Sequence, residues 1–182
     1  SPHVQIFRNI FEQLSLLAIE AALGRCHLKT TSHIHFVTHS LGGILVRVYL
    51  EQTTLPKLGR VVMLAPPNQG SHLVDKLGNL PGFAVINGRA ATQLGTGPHH
   101  LPAQLGPVTY PVGIIAGTHS VNFFLSLFLP GANDGRVTTE NTKVAGMTDY
   151  IEVPASHPFI MRHSSAIQQA VAFIQTGAFR KF

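Results

Sequence analysis

Apolar residues recur three and four apart from residue 3 to residue 23, at Val4, Phe7, Ile10, Phe11, Leu14, Leu17, Ala18 and Ala21, ahead of Gly24. That spacing predicts an amphipathic helix with a glycine stop. The pattern then changes. Ile34 to Thr38 is a short apolar run that predicts a strand, and helical spacing resumes from Leu41 to Leu50, just after Ser40. Arg60 to Ala65 predicts a second, buried strand, ended by Pro66 and Pro67, which cannot extend a central ladder. Glycine and proline punctuate the stretch from Asn68 to Pro111, where a short helix is expected after Ser71 and another around Phe83 to Leu94. Val112 to Ala116 and Tyr150 to Val153 predict a third and a fourth strand. The closing helix is expected from Ser164 to about Gln175, with Ile167, Ala170, Val171 and Ile174 on one face and Gly177 as its stop.

Strands separated by helices imply parallel pairing through right-handed crossovers, and so an α/β layered sheet. Composition sharpens this reading. A chain of 182 residues, 45% apolar and only 12% charged, is long enough for one domain with a real core and unlike a disordered chain. No internal repeat, low-complexity tract or second domain interrupts it. The longest apolar runs, such as Val121 to Pro130, fall well short of the roughly 20 residues a membrane span needs. No basic n-region followed by an apolar h-region opens the sequence, so no secretory signal is recognisable, and the compartment stays open. Cys26 is the only cysteine, which excludes an intrachain disulfide. The formal charge is +5, but the 13 Lys and Arg are scattered, apart from Arg180 and Lys181 at the end. Phosphate binding needs a clustered basic surface, so nucleic acid is not expected as a partner.

The most informative segment is His35-Phe36-Val37-Thr38-His39-Ser40-Leu41-Gly42-Gly43, in which an apolar strand, a serine and an apolar helix follow in order. A serine on a tight strand-to-helix turn projects its hydroxyl above the sheet, and the small residues beside it make room for the backbone. Thr38 replaces the first glycine of G-x-S-x-G. The bland alternative is a serine that caps the following helix. The segment resembles the nucleophile elbow of the α/β-hydrolase superfamily, and more narrowly of its bacterial lipase and esterase-like members with V-T-H-S-L-G-G elbows. The resemblance covers nearly the whole chain.

That resemblance implies a Ser, Asp or Glu, His order along the chain. Of the three aspartates, Asp134, in Asn133-Asp134-Gly135-Arg136-Val137 between the third and fourth strands, stands where the family places its acid. Asn-Asp-Gly is equally a turn sequence, and the two roles are compatible. His157, in Pro154-Ala155-Ser156-His157-Pro158, stands where the family places its base, with His163 as the nearest competitor. A Ser40–Asp134–His157 triad supplies both the nucleophile and the proton transfer, so no cofactor is expected. Thr118-His119-Ser120 repeats the tripeptide of the elbow without its glycines or its helix and is read as a decoy. His33 with His35, and His99 with His100, offer paired imidazoles, but no further ligand at zinc spacing accompanies them, and no metal is expected.

The apolar segment holding Phe123, Phe124, Leu125 and Phe128 reads either as an acyl pocket or lid, or as a buried helix. Of the two backbone donors an oxyanion hole needs, the N–H of Leu41 supplies one. The second comes, in the family, from a loop after an earlier strand, and only Gly24 and a predicted helix stand before the elbow strand. Four strands alone would also leave the elbow strand as an exposed apolar edge. The expectation is the C-terminal portion of an α/β-hydrolase domain, its edge covered by a missing N-terminal segment or by a partner chain. Two functions compete: a serine hydrolase of apolar or lipid-like esters, and a non-catalytic binding protein with an incomplete oxyanion hole.

Overall fold

The computed structural model describes residues 13, 16–25, 31–78, 89–121, 126, 127 and 129–181. Four strands, β1 (Ile34–His39), β2 (Leu58–Leu64), β3 (Val112–Gly117) and β4 (Asp149–Val153), pair in the order β1-β2-β3-β4, and every pair is parallel. The helices are α1 (Leu41–Gln52), α2 (His72–Leu77), α3 (Leu101–Gln104), α4 (Thr139–Thr142) and α5 (Ser164–Thr176), with single 3₁₀ turns at Arg89–Gln93 and Ile160–Arg162. Residues 16–24 are also helical, consistent with the end of the first predicted helix, whose residues 3–12 lie outside the described residues. Of the helix expected around Phe83 to Leu94, the described part is the 3₁₀ turn. The four-residue helices α3 and α4 are too short to leave a periodic signature. The second is announced only by its cap, Thr138 Oγ1 accepting from the Asn141 N–H at 3.2 Å.

Alternation along the central strands divides the core in two. Val61, Met63, Val112 and Ile114 face α1 through Val46 and Tyr49, with Ile19 and Leu23 on the same side. Val62, Leu64 and Ile115 face α5 through Ala166, Ala170 and Phe173. Helices therefore cover both faces of the sheet, as the sequence predicts. The face of α5 differs from the expected one: Ile167 and Val171 stand 49% and 48% exposed, while Ala166, Ala170 and Phe173 are buried. The cause lies in β3. A Cβ at Gly113 would stand 2.7 Å from the rings of both Phe173 and Phe179, so the glycine leaves the space into which these rings pack. Burying Phe173 completely stabilises the fold by roughly 1.5–3 kcal/mol, more than either half-exposed aliphatic returns.

Among the described residues β1 is an edge strand, and Val37 is 56% exposed on it. Its register slips between Ile34 and Phe36, beside Gly59. The His35 imidazole lies against that glycine, and its Nδ1 accepts the Arg60 N–H at 2.9 Å. His35 is thus engaged in the sheet irregularity, and burial, then nearby Arg60, lowers its pKa. Because all strands run the same way, Ser40, Pro66 to Asn68, Thr118 to Ser120 and Ala155 to His157 all emerge at one end of the sheet. Buried Arg47 of α1 braces this end, donating to the Asn68 carbonyl and Oδ1 and to the carbonyls of Leu105 and Gly106.

Candidate active site

Ser40 joins β1 to α1 with φ 51° and ψ −123°, a conformation that a residue with a Cβ rarely adopts. Such a turn costs on the order of 1–3 kcal/mol and persists only where its surroundings hold it. Here they do: the Ser40 N–H donates to the Leu64 carbonyl at 2.9 Å, and the Gly43 N–H donates to the Ser40 carbonyl at 3.0 Å. The chain leaving β2 crosses directly above, so a Cβ at Gly43 would lie 3.1 Å from the Pro66 Cβ and 3.2 Å from the Met63 sulfur. At Gly42 a Cβ would stand 3.4 Å from the Thr38 Cβ, an ordinary contact. The tighter need for glycine therefore falls on Gly43, and the threonine in place of the first glycine is accommodated.

A capping serine would place its hydroxyl oxygen on an N–H of the first helical turn. Ser40 makes no such bond. Its Oγ instead stands 2.9 Å from His157 Nε2, and His157 Nδ1 stands 2.7 Å from Asp134 Oδ2. A carboxylate only accepts, so the proton sits on Nδ1, and Nε2 is left to accept from the serine hydroxyl. Asp134 and His157 are 1% and 4% exposed.

The acid loop is a turn as well as a source of charge. Gly135 has φ 95°, its N–H donates to Asn133 Oδ1 at 3.0 Å, and Ser126 donates to the same oxygen at 2.7 Å. Asp134 Oδ1 accepts the N–H groups of Arg136 and Val137 at 2.9 and 2.8 Å, which leaves Oδ2 for the histidine. The Asn-Asp-Gly turn and the contact of Asp134 with His157 thus coexist in one structure. The other two aspartates are engaged elsewhere: Asp75 accepts from the N–H and hydroxyl of Thr96, and Asp149 from the N–H groups of Tyr150 and Phe179. His163 directly precedes α5.

The N–H of Leu41, first in α1, is among those a helix start leaves without an intrahelical acceptor, and it directly follows Ser40. A hollow of about 110 Å³ opens beside Ser40 and His157, walled by Leu41, Pro67, Leu73, Val74, Leu94 and Val137. Arg136 and Ser71 supply its polar rim, and Ser71 Oγ donates to the Arg136 carbonyl at 2.6 Å. Pro67 belongs to the loop after β2 that the sequence already sets beside the serine, whereas Leu73, Val74, Leu94 and Val137 were missed. Leu73 and Val74 come from α2, Leu94 follows the 3₁₀ turn and Val137 lies in the Asp134 loop, and no periodicity marks any of them. Phe123, Phe124, Leu125 and Phe128 lie outside the described residues. Among the described residues no three His, Cys, Asp or Glu side chains gather as a metal site, and no helix is long and apolar enough to cross a membrane.

A parallel sheet with helices on both faces thus brings a serine, a histidine and an aspartate together at its carboxyl end. The chain superposes on the mature form of a Bacillus licheniformis lipase, BlEst2, with a TM-score of 0.65 and 21% identity over 94% of this chain and 74% of that one. Against the propeptide form of the same lipase the TM-score is 0.65 and the identity 23%, covering 97% of this chain and 42% of that one. The chain thus shares the α/β fold of that lipase. No protein-family model and no curated protein matches it.

Proposed function

We propose that this chain is a serine hydrolase that cleaves carboxylic esters of apolar acyl groups through an acyl-enzyme on Ser40. The observation that carries the reading is the continuous pair of short contacts from Ser40 Oγ to His157 Nε2 and from His157 Nδ1 to Asp134 Oδ2. In the mechanism, His157 Nε2 takes the hydroxyl proton as Oγ attacks the ester carbonyl carbon, and Asp134 stabilises the resulting imidazolium. The developing oxyanion is met by the Leu41 N–H. Collapse of the tetrahedral intermediate expels the alcohol, which receives the proton from His157. Water, deprotonated by the same nitrogen, then attacks the acyl-enzyme and releases the carboxylic acid. The likeness to a lipase and the apolar walls of the hollow beside Ser40 support an apolar acyl group. Phe123, Phe124, Leu125 and Phe128 extend that surface in this reading, as pocket or lid.

The described strands form one hydrolase domain in this proposal, corresponding to its C-terminal portion. A further strand, from an N-terminal segment or a partner chain, pairs with the open edge of β1 and brings the second oxyanion donor. A fluorophosphonate probe tests the assignment together with a p-nitrophenyl ester: labelling at Ser40 and turnover lost in Ser40→Ala are expected. A folded chain that neither reacts nor turns over the ester would favour the binding-protein reading.

A further inference from the structure

We propose that His39 is a positioning residue for the base: its imidazole holds the His157 backbone and so sets where Nε2 stands above Ser40. His39 is the middle residue of the Thr-His-Ser tripeptide and the last residue of β1. Its Nε2 lies 2.9 Å from the His157 carbonyl oxygen. A carbonyl only accepts, so His39 carries its proton on Nε2 and donates it. The His157 N–H donates in turn to the Asp134 carbonyl at 3.0 Å.

Two hydrogen-bonded routes therefore join the same three loops. One is the side-chain route from Asp134 Oδ2 through the His157 ring to Ser40 Oγ. The other runs through the His157 main chain, from the Asp134 carbonyl to the His157 N–H and from the His157 carbonyl to His39. The second route fixes the backbone from which the base projects, on the side of the elbow. Displacing a reacting group by about 1 Å costs on the order of 10² in rate, so a loose His157 loop is expected to show in turnover rather than in folding.

The two rings lie 4.9 Å apart, so the charge on one is felt by the other. Burial first, and then His157 itself, lowers the pKa of His39; Arg136 acts in the same direction, while Asp134 and the bond to the His157 carbonyl oppose them. A neutral His39 is what the site needs, because the imidazolium formed at His157 during attack would be repelled by a second cation beside it.

This inference builds on the proposed triad, and its test separates the two. Wild type, His39→Ala and His39→Gln are compared for the rate of p-nitrophenyl ester turnover, with KM read separately and pH varied. Glutamine restores an N–H at nearly the reach of Nε2. The expected result is a 10- to 100-fold lower kcat in His39→Ala with KM within about twofold, and recovery to within about fivefold in His39→Gln. As pH falls, wild type loses rate through protonation of His39, and His39→Gln lacks that part of the loss. Equal kcat in all three proteins, or a glutamine variant as slow as the alanine variant, overturns the proposal. Proton and nitrogen spectra of the histidine rings give a readout independent of activity. Loss or displacement of the low-field Nδ1 proton of His157 in His39→Ala supports the positioning role, and an unchanged proton overturns it. Absence of labelling at Ser40 in the wild type would remove the hydrolase reading while leaving this spectral test standing.

Discussion

Thr-His-Ser occurs twice at the carboxyl end of the sheet, as Thr38-His39-Ser40 on leaving β1 and as Thr118-His119-Ser120 on leaving β3. The threonines behave alike, each hydroxyl donating to a carbonyl of the next strand, Val62 at 3.4 Å and Val153 at 3.2 Å. The serines do not. Ser40 takes a left-handed φ and opens a twelve-residue helix, whereas Ser120 is followed by Val121 and by no described helix start. The histidines differ too: His39 is half-buried against His157, and His119 is exposed. The same three side chains at the same end of the same sheet thus become a candidate nucleophile in one place and an ordinary loop in the other. The difference lies in the residues that follow: Leu41 begins a helix, and Gly43 lets Pro66 lie over its first turn.

The comparison is broken most directly by deleting each hydroxyl. Ser40→Ala is expected to lower ester turnover by roughly 10⁶-fold, as for other triad serines, and Ser120→Ala to leave it within about twofold. Turnover measured on both variants decides, and equal losses would remove the distinction. Next in size is Asp134→Asn, expected to reduce turnover by about 10⁴ with folding retained, because an amide no longer enforces the Nδ1–H tautomer of His157. Asp75→Asn, a change in the Thr96 contact, is expected to leave turnover near wild type.

Much of this contrast is legible in the sequence. Two tripeptides followed by Leu-Gly-Gly and by Val-Asn-Phe already separate elbow from loop, and the parallel sheet follows from strands alternating with helices. Ser40, Asp134 and His157 were found through the resemblance of the elbow, which implies their order along the chain, and they stand within contact because parallel strands end at one edge of the sheet. What stayed illegible depends on tertiary contact. The walls of the hollow, Leu73, Val74 and Leu94, come from short helical turns without a period. The buried face of α5 was misread because its apolar positions form two overlapping stripes, and only the space above Gly113 chooses between them. His39 drew no attention because a histidine beside a serine is unremarkable until His157 is folded against it.

The strands that feed the two tripeptides differ as well, and this sharpens the comparison at the level of stability. β3 is buried along its whole length, while β1 is an edge among the described residues. Gly113→Ala would press a methyl against two aromatic rings fixed in the core, and a loss of about 1–3 kcal/mol is expected. Val37→Thr, on the exposed side of β1, is expected to change stability by no more than about 0.5 kcal/mol. Urea unfolding of both variants checks the pair, and similar losses would mean that the β1 face is covered in solution.

The smallest expected effect concerns the two histidines. The pKa of His39 is lowered in the fold, chiefly by burial, so the unfolded chain takes up its proton first as pH falls. The side chain's contribution is therefore fully present above an unfolded value of about 6.5 and is lost as pH drops through the lower folded value. Where the unfolded state binds more protons, stability rises with pH, which fixes the sign. Replacing His39 by glutamine keeps a donor to the His157 carbonyl and removes the titration, so the variant is expected to lose less stability than wild type on going from pH 7 into the acid range. His119→Gln, at the matching position of the second tripeptide, is the control. Urea midpoints taken across that range compare the three proteins. If His39→Gln follows the wild-type curve, the half-buried imidazole is not what distinguishes the elbow in its response to acid, and the contrast between the two tripeptides narrows to the serines alone.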